Sequence, residues 1–432
     1  MKTMTRRAGL AAVAALALSL PLAACSTGSS GDAGVGDIER SDVQFEQVLV
    51  EDATEAGNVV KRTRELGLAI LGDSEGKTTV LSPASAVIAI AMLGATATGE
   101  TEEEMTLLLG AAGEERDRAV NALSGTLDAY RVPVGEIDTE ELPDKPQLHL
   151  ANQVVLNQGF TVEKGYLDAL QHWYDAGVLQ LDLATAEAKG VLDAWVKENT
   201  AGLVEKSAME PDASLRLILQ NAIVFAAGWQ TPFRESATAP DTFHLADGST
   251  VTTDFMNGIT EARYATLGDW AMLELPFRGG DMVARFILPP QGIDPQSVTP
   301  GDLAVMELEL APTMVNVTIP KLDLKTTTSL GDSLMQQGLT SVFSVNPPAL
   351  DYIAPGEDLE VSEVIQQAAF QMDEKGTVAA AVTEVMVAAL GASAPMPAEV
   401  SFRADRPYLI IINDTTAGWD LFQVAVEDPV AQ

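Results

Sequence analysis

Residues 215–229 read LRLILQNAIVFAAGW, an almost wholly apolar run broken by Arg216, Gln220 and Asn221. A strand with one wet face alternates apolar and polar side chains, whereas a near-continuous apolar run marks a strand buried on both faces. At about 3.3 Å per residue, such a strand reaches roughly 50 Å. The run therefore demands a large sheet that is covered on both sides.

The rest of the chain supplies the cover. Val43 to Leu71 reads as helical, with apolar residues at mixed spacings of three and four. The Ser-Pro pair at Ser82 opens a helix at Pro83, and Thr101 followed by Glu104 is a capping-box pattern for the next one. Residues 131–147, with three prolines and several acids, read as a loop. EKGYLDALQHWY and AEAKGVLDAWVKENTAG are helical, the second stopping near Gly202, and SLGDSLMQQGL is a short helix. LHLANQVVLN, TVTTDFM, WAMLELPF, MVARFILP and TMVNVTIPKLDL read as strands. The tail from Val400 holds three more strands, with a turn at DTTAG. Helices dominate early and strands late, without βαβ alternation. That is the signature of one α+β domain with large, mostly antiparallel sheets.

The 432 residues are 47% apolar, ample for such a core, and carry a formal charge of −36. This surface repels nucleic acid phosphates and anionic headgroups, so no nucleic acid partner is expected. Lys2, Arg6 and Arg7 precede an Ala/Leu run to Ala24, the pattern of an export signal over residues 1–24. LAAC, Leu22 to Cys25, resembles the lipobox of bacterial lipoproteins. The resemblance implies lipid on Cys25, a Gly/Ser-rich tether over residues 25–40, and anchoring to the bilayer outside the bacterial cytoplasm. Cys25 is the only cysteine, so no disulfide can form within the chain.

Catalytic chemistry is hard to place. The three histidines, His149, His172 and His244, have no partners at metal-ligand spacing, and there is no P-loop or dinucleotide fingerprint. Gly331 to Leu334 spells the GDSL motif of a lipase and esterase family, but no histidine follows residue 244 to act as base. The motif fits a core-facing helix through Leu330, Leu334 and Leu339. Neither an enzyme activity, a metal nor a cofactor is expected.

DEKGTVAAAVTEVMVAALGASAPMPAE, residues 373–399, is ambiguous by propensity. Read as a strand, one face holds Thr377, Ala379, Ala381, Thr383, Val385 and Val387, all small and uncharged. It could sit in mid-sheet or, ending in Gly391, Pro395 and Pro397, form an exposed loop. DEKGTVAAAVT resembles the hinge of the serpins. LSPASAVIAIAMLGATATGET, VLDAWVKENTAGLVEK, LILQNAIVFAAGWQTPF, VTIPKLDL, LGDSLMQQGLTSVFS and FRADRPYLIIINDTTAGWDLF resemble other serpin blocks, in the right order from about residue 43 to 430.

The resemblance implies a single serpin domain over residues 41–432, with three mostly antiparallel sheets and an exposed reactive-centre loop at about 374–398. It also implies a suicide-substrate inhibitor of serine proteases, with cysteine proteases as a further target class, which works as a monomer. The protease forms an acyl-enzyme with the loop, and the cut loop enters the main sheet as a new strand. The hinge would be Glu374, Gly376, Thr377, Ala379, Ala380, Ala381 and Thr383. Ser82, Ser85, Asn221 and Gln366 would form the shutter below the sheet, with Gln366 where a histidine is common, and Trp229 would stand where the loop enters. Counting from the hinge puts the reactive bond at Leu390–Gly391; counting back from Glu399 points nearer Ala394. Leucine there suits chymotrypsin- or subtilisin-like targets, and Ala388 and Ala389 suit elastase-like ones. A carrier of the fold that binds or is merely cut, without inhibiting, is the alternative. Gln423 and Val424 depart from a common glycine-containing version.

Overall fold

The apolar run forms a twelve-residue strand, Leu217–Gly228, in which every residue is buried. It lies in a computed structural model that describes residues 38–74, 76–137, 142–345, 349–377 and 399–431. The helices are α1 (Ala56–Gly72), α2 (Pro83–Leu93), α3 (Gly99–Leu109), α4 (Gly113–Thr126), α5 (Lys164–Tyr174), α6 (Ala186–Asn199), α7 (Pro300–Glu309) and α8 (Gly331–Gln336). The strands are β1 (Ile38–Glu39), β2 (Thr79–Leu81), β3 (Gln147–Asn157), β4 (Val178–Leu181), β5 (Leu217–Gly228), β6 (Ala239–His244), β7 (Thr250–Leu267) and β8 (Trp270–Pro276). They continue with β9 (Met282–Leu288), β10 (Ala311–Pro320), β11 (Leu322–Ser329), β12 (Val361–Met372), β13 (Gly376–Thr377), β14 (Val400–Arg403), β15 (Tyr408–Asp414) and β16 (Trp419–Val426).

β5 is buried on both faces because different layers cover them. Leu217, Leu219, Ile223 and Phe225 join the main core with α2 and β16. Ile218 joins a second cluster with Leu192 of α6. The strand is central in a seven-stranded sheet ordered β1-β4-β3-β5-β13-β12-β11. A second sheet runs β14-β10-β7-β8-β9-β15-β16-β2, with β6 on β7. The α+β class and the mostly antiparallel pairing are as expected. The described strands nevertheless link into two hydrogen-bonded sheets, because the long β7 pairs with β10 and β6 along part of its length and with β8 along the rest.

Three local expectations change. The helix expected over Val43–Leu71 is confined to α1, after a short 3-10 turn at Val50–Asp52, because the polar groups of residues 41–48 bond to α4 and α5 instead. The capping box at Thr101 and Glu104 is absent. α3 starts earlier, after Thr98, and Glu104 accepts from the backbone N–H groups of Thr340 and Ser341 and from their hydroxyls at 2.7 and 2.6 Å. TMVNVTIPKLDL is two strands in different sheets, separated at Lys321.

Candidate functional site

The seven-stranded sheet is forked. From Val361 opposite Leu217 to Ala368 opposite Ile223, β12 and β5 pair directly and in parallel. Beyond that level they diverge, and β13 lies between them. Gly376 faces Gly228, and Thr377 faces Ala227 on one side and Met372 on the other. β13 runs antiparallel to β5, so the chain at Thr377 heads down the fork toward the paired level.

A tight turn aims it there. The Asp373 carboxylate accepts from Lys375 N at 2.8 Å and Gly376 N at 3.2 Å, and Asp373 N donates to Gly376 O at 2.9 Å. A Cβ on residue 376 would overlap Ala227 O and Gly228 Cα, so only glycine lets the β13 backbone come this close. Trp229 holds the outer end. Its indole N–H donates to Asp373 O at 2.9 Å, its backbone N–H donates to Lys375 O at 2.7 Å, and its ring stacks on Phe277 at 4.7 Å. The buried Glu374 carboxylate accepts from Thr238 Oγ1 at 2.6 Å and pairs with Lys321 Nζ at 3.0 Å. Burial works to raise its pKa, but hydrogen bonds from Thr238 and Lys321 prevail and hold it below the ordinary glutamate value.

Lower down, the two strands are fastened by amides. Gln366 of β12 accepts from Ser82 N at 2.6 Å and donates to Ser82 O at 2.9 Å and Asn221 Oδ1 at 2.8 Å. Asn221 of β5 donates to Ser85 Oγ and to Asn152 Oδ1 on β3. Ser82 caps α2, its hydroxyl accepting from Ser85 N at 3.3 Å. Ser82, Ser85, Asn221 and Gln366 are thus one buried cluster tying three strands to a helix N-terminus.

Asn152 escaped the sequence reading, as did a second row on the opposite face. There Gln153 donates to Gln220 Oε1 at 2.6 Å, Gln220 to Ser207 Oγ at 2.7 Å, and Gln367 to Lys206 O at 2.8 Å. The available clue was an amide doublet in each strand: Asn152-Gln153, Gln220-Asn221 and Gln366-Gln367. Neighbouring residues on a strand face opposite ways, so each doublet serves both faces. The departure at Gln423 also has a physical reason. Its buried side chain donates to Asp420 at 3.1 Å and lies where a Cβ on residue 67 would stand, so Gly67 in α1 makes room for it. Of the other expected site residues, Ala379, Ala380, Ala381, Thr383, Leu390, Gly391 and Cys25 lie outside the described residues.

The family model for serpins, serine protease inhibitors, matches residues 65–429. The chain belongs to the serpin family. Among its relatives, serpin-Z7 of Hordeum vulgare is 28% identical over 380 residues, covering 84% of this chain and 94% of its own. The thermophilic serpin tengpin in its native state superposes with a TM-score of 0.74 at 21% identity, over 90% of this serpin and 97% of tengpin. Human thyroxine-binding globulin complexed with thyroxine gives 0.74 at 21% identity, over 88% of this chain and 100% of its own. The last two likenesses establish the fold. Serpins are generally inhibitors of proteases and not catalysts.

Proposed function

We propose that this serpin traps serine proteases by loop insertion. The fork carries the reading: the hinge already occupies the first two positions of an extra strand between β5 and β12, and it points toward the rest. The next positions are Val378 to Thr383, whose inward set is small and uncharged. In the intact chain the loop's far end is held by β14, paired to β10 of the other sheet. Cutting between hinge and β14 removes that restraint. Insertion gives up one parallel ladder, Leu217–Ile223 against Val361–Ala368, and forms two antiparallel ones. At about 1 kcal/mol net per hydrogen bond, the exchange favours the inserted state. A protease still esterified to the loop would be carried along.

The reactive bond on this reading is Leu390–Gly391, and the targets are chymotrypsin-, elastase- or subtilisin-like. No Lys or Arg lies between Thr377 and Phe402 to attract a trypsin-like enzyme. Lipid on Cys25 would hold the monomeric inhibitor outside the cytoplasmic membrane. A second reading, a non-inhibitory carrier, draws on the fold shared with thyroxine-binding globulin.

The test is a denaturing gel with intact mass spectrometry after mixing with the three protease types. The inhibitory reading expects a stable covalent complex and a released peptide beginning at Gly391. Clean loop cleavage without a complex for all three would reject it for these targets in favour of the carrier.

A further inference from the structure

Residues 38–49 form a strap that leads into α1. β1 pairs antiparallel with β4, Ile38 opposite Leu179 and Glu39 opposite Val178, so the strap begins as the outermost strand of the forked sheet. Arg40 Nη1 donates to Asp175 O at 2.9 Å, and Ser41 Oγ donates to Asp168. Glu46 N donates to His172 O at 3.0 Å. Asn121 of α4 is buried, and its amide serves this junction. Its oxygen accepts from Val48 N at 2.8 Å and Gln47 Nε2 at 3.1 Å, and its nitrogen donates to Glu46 O at 3.0 Å and Trp173 O at 2.7 Å.

Two glycines leave space for the strap. A Cβ on Gly177 would overlap Glu39 O and Arg40 Cγ, and one on Gly125 would overlap Gln47 Nε2. The docking is nevertheless shallow in apolar terms. Ile38 is 55% and Leu49 58% exposed, and Val48 at 6% is the buried anchor. Hydrogen bonds, and not apolar burial, supply most of the hold, which suits a contact that can be released. Beneath the strap is a cavity of about 430 Å³, lined by Phe45 and Gln47 of the strap and by Ile88 and Asn152, the β3 partner of Asn221.

Accepting a strand between β5 and β12 displaces the β1-β4-β3-β5 half from β12 by one strand spacing, about 4.8 Å. The strap joins the outer edge of that half, at β4, to α4 and to α1, and α1 packs on β16 of the other sheet. Opening must stretch or undock it. We propose that residues 38–49 are a brake on the sheet: docked, they hold the fork at two residues; released, the uncut chain passes to the loop-inserted form and is spent as an inhibitor. Cutting the strap would then switch the inhibitor off.

The proposal rests on the insertion reading, and its test separates the two. Native full-length chain is incubated at constant temperature. Conversion is followed by loss of loop cleavage by subtilisin and gain of thermal stability. Gly177→Val and Gly125→Ala, where the atoms nearest an added Cβ all belong to the strap, are expected to convert about tenfold faster. A disulfide between Ile38→Cys and Leu179→Cys is expected to slow conversion severalfold, with reduction restoring the original rate. Unchanged rates in both directions, or crowded variants that only melt earlier without converting, would overturn the brake. Wild-type chain cut in the loop is the control. If cutting gives no gain in thermal stability, the insertion reading fails; if it does and the variants match wild type, the brake alone fails.

Discussion

Gln366 fastens β12 to β5 and to the start of α2. It makes three hydrogen bonds in a buried cluster, two to Ser82 and one to Asn221. Gln366→Leu leaves Ser82 N and Asn221 Oδ1 without that partner, at a cost of about 1–3 kcal/mol for a buried unsatisfied group. The native form should unfold at lower urea and convert to the inserted form faster, both read by native gel. Glu374 makes a pH prediction. Its pKa is depressed in the fold, so its contribution is full above the ordinary glutamate value near 4.3 and is lost as pH falls through the depressed one. Glu374→Gln should therefore destabilise the hinge at neutral pH and approach wild type in strong acid, as measured by Trp229 fluorescence, since Trp229 donates to the adjacent Asp373 carbonyl. Gly67→Ala should cost about 1–3 kcal/mol in urea unfolding through its clash with Gln423, although alanine is the better helix former.

At the scale of elements, legibility followed burial pattern. β5 was plain because both faces are apolar, and α2 because Ser82 and Pro83 mark its start. β12 went unread: Ser362, Glu363, Gln366, Gln367 and Gln371 break its apolar run. Gln366 is satisfied by Ser82 at the start of α2 and by Asn221 on β5, whereas Gln367 donates to Lys206 O and leaves its own buried side-chain oxygen without a hydrogen-bond partner. The helix expected across residues 43–55 failed for the same reason in reverse, since tertiary partners such as Asn121 outcompete the intrahelical bonds. Family resemblance singled out Ser82, Ser85, Asn221 and Gln366, which lie in contact, but not Asn152, because cross-strand register is invisible in a linear chain. The hinge also yields a prediction. Thr377 is buried between β5 and β12. Thr377→Arg and Ala381→Glu would each force a charge into the sheet and delay insertion. Both should give cleaved inhibitor with free protease on a denaturing gel, and full inhibition by both would contradict the mechanism.

For the whole molecule, the native state is a partly opened sheet held by local fastenings: the amide cluster, the hinge turn under Trp229, and the far end of the loop tied at β14. On the proposed insertion mechanism, such a state would persist through a barrier and not through depth in free energy. The most direct measurement compares the melting temperature of intact chain with that of chain cut once between residues 378 and 398. The account predicts that the cut chain melts well above the intact one, by tens of degrees, because the freed segment completes the sheet. Equal or lower melting after the cut would contradict it.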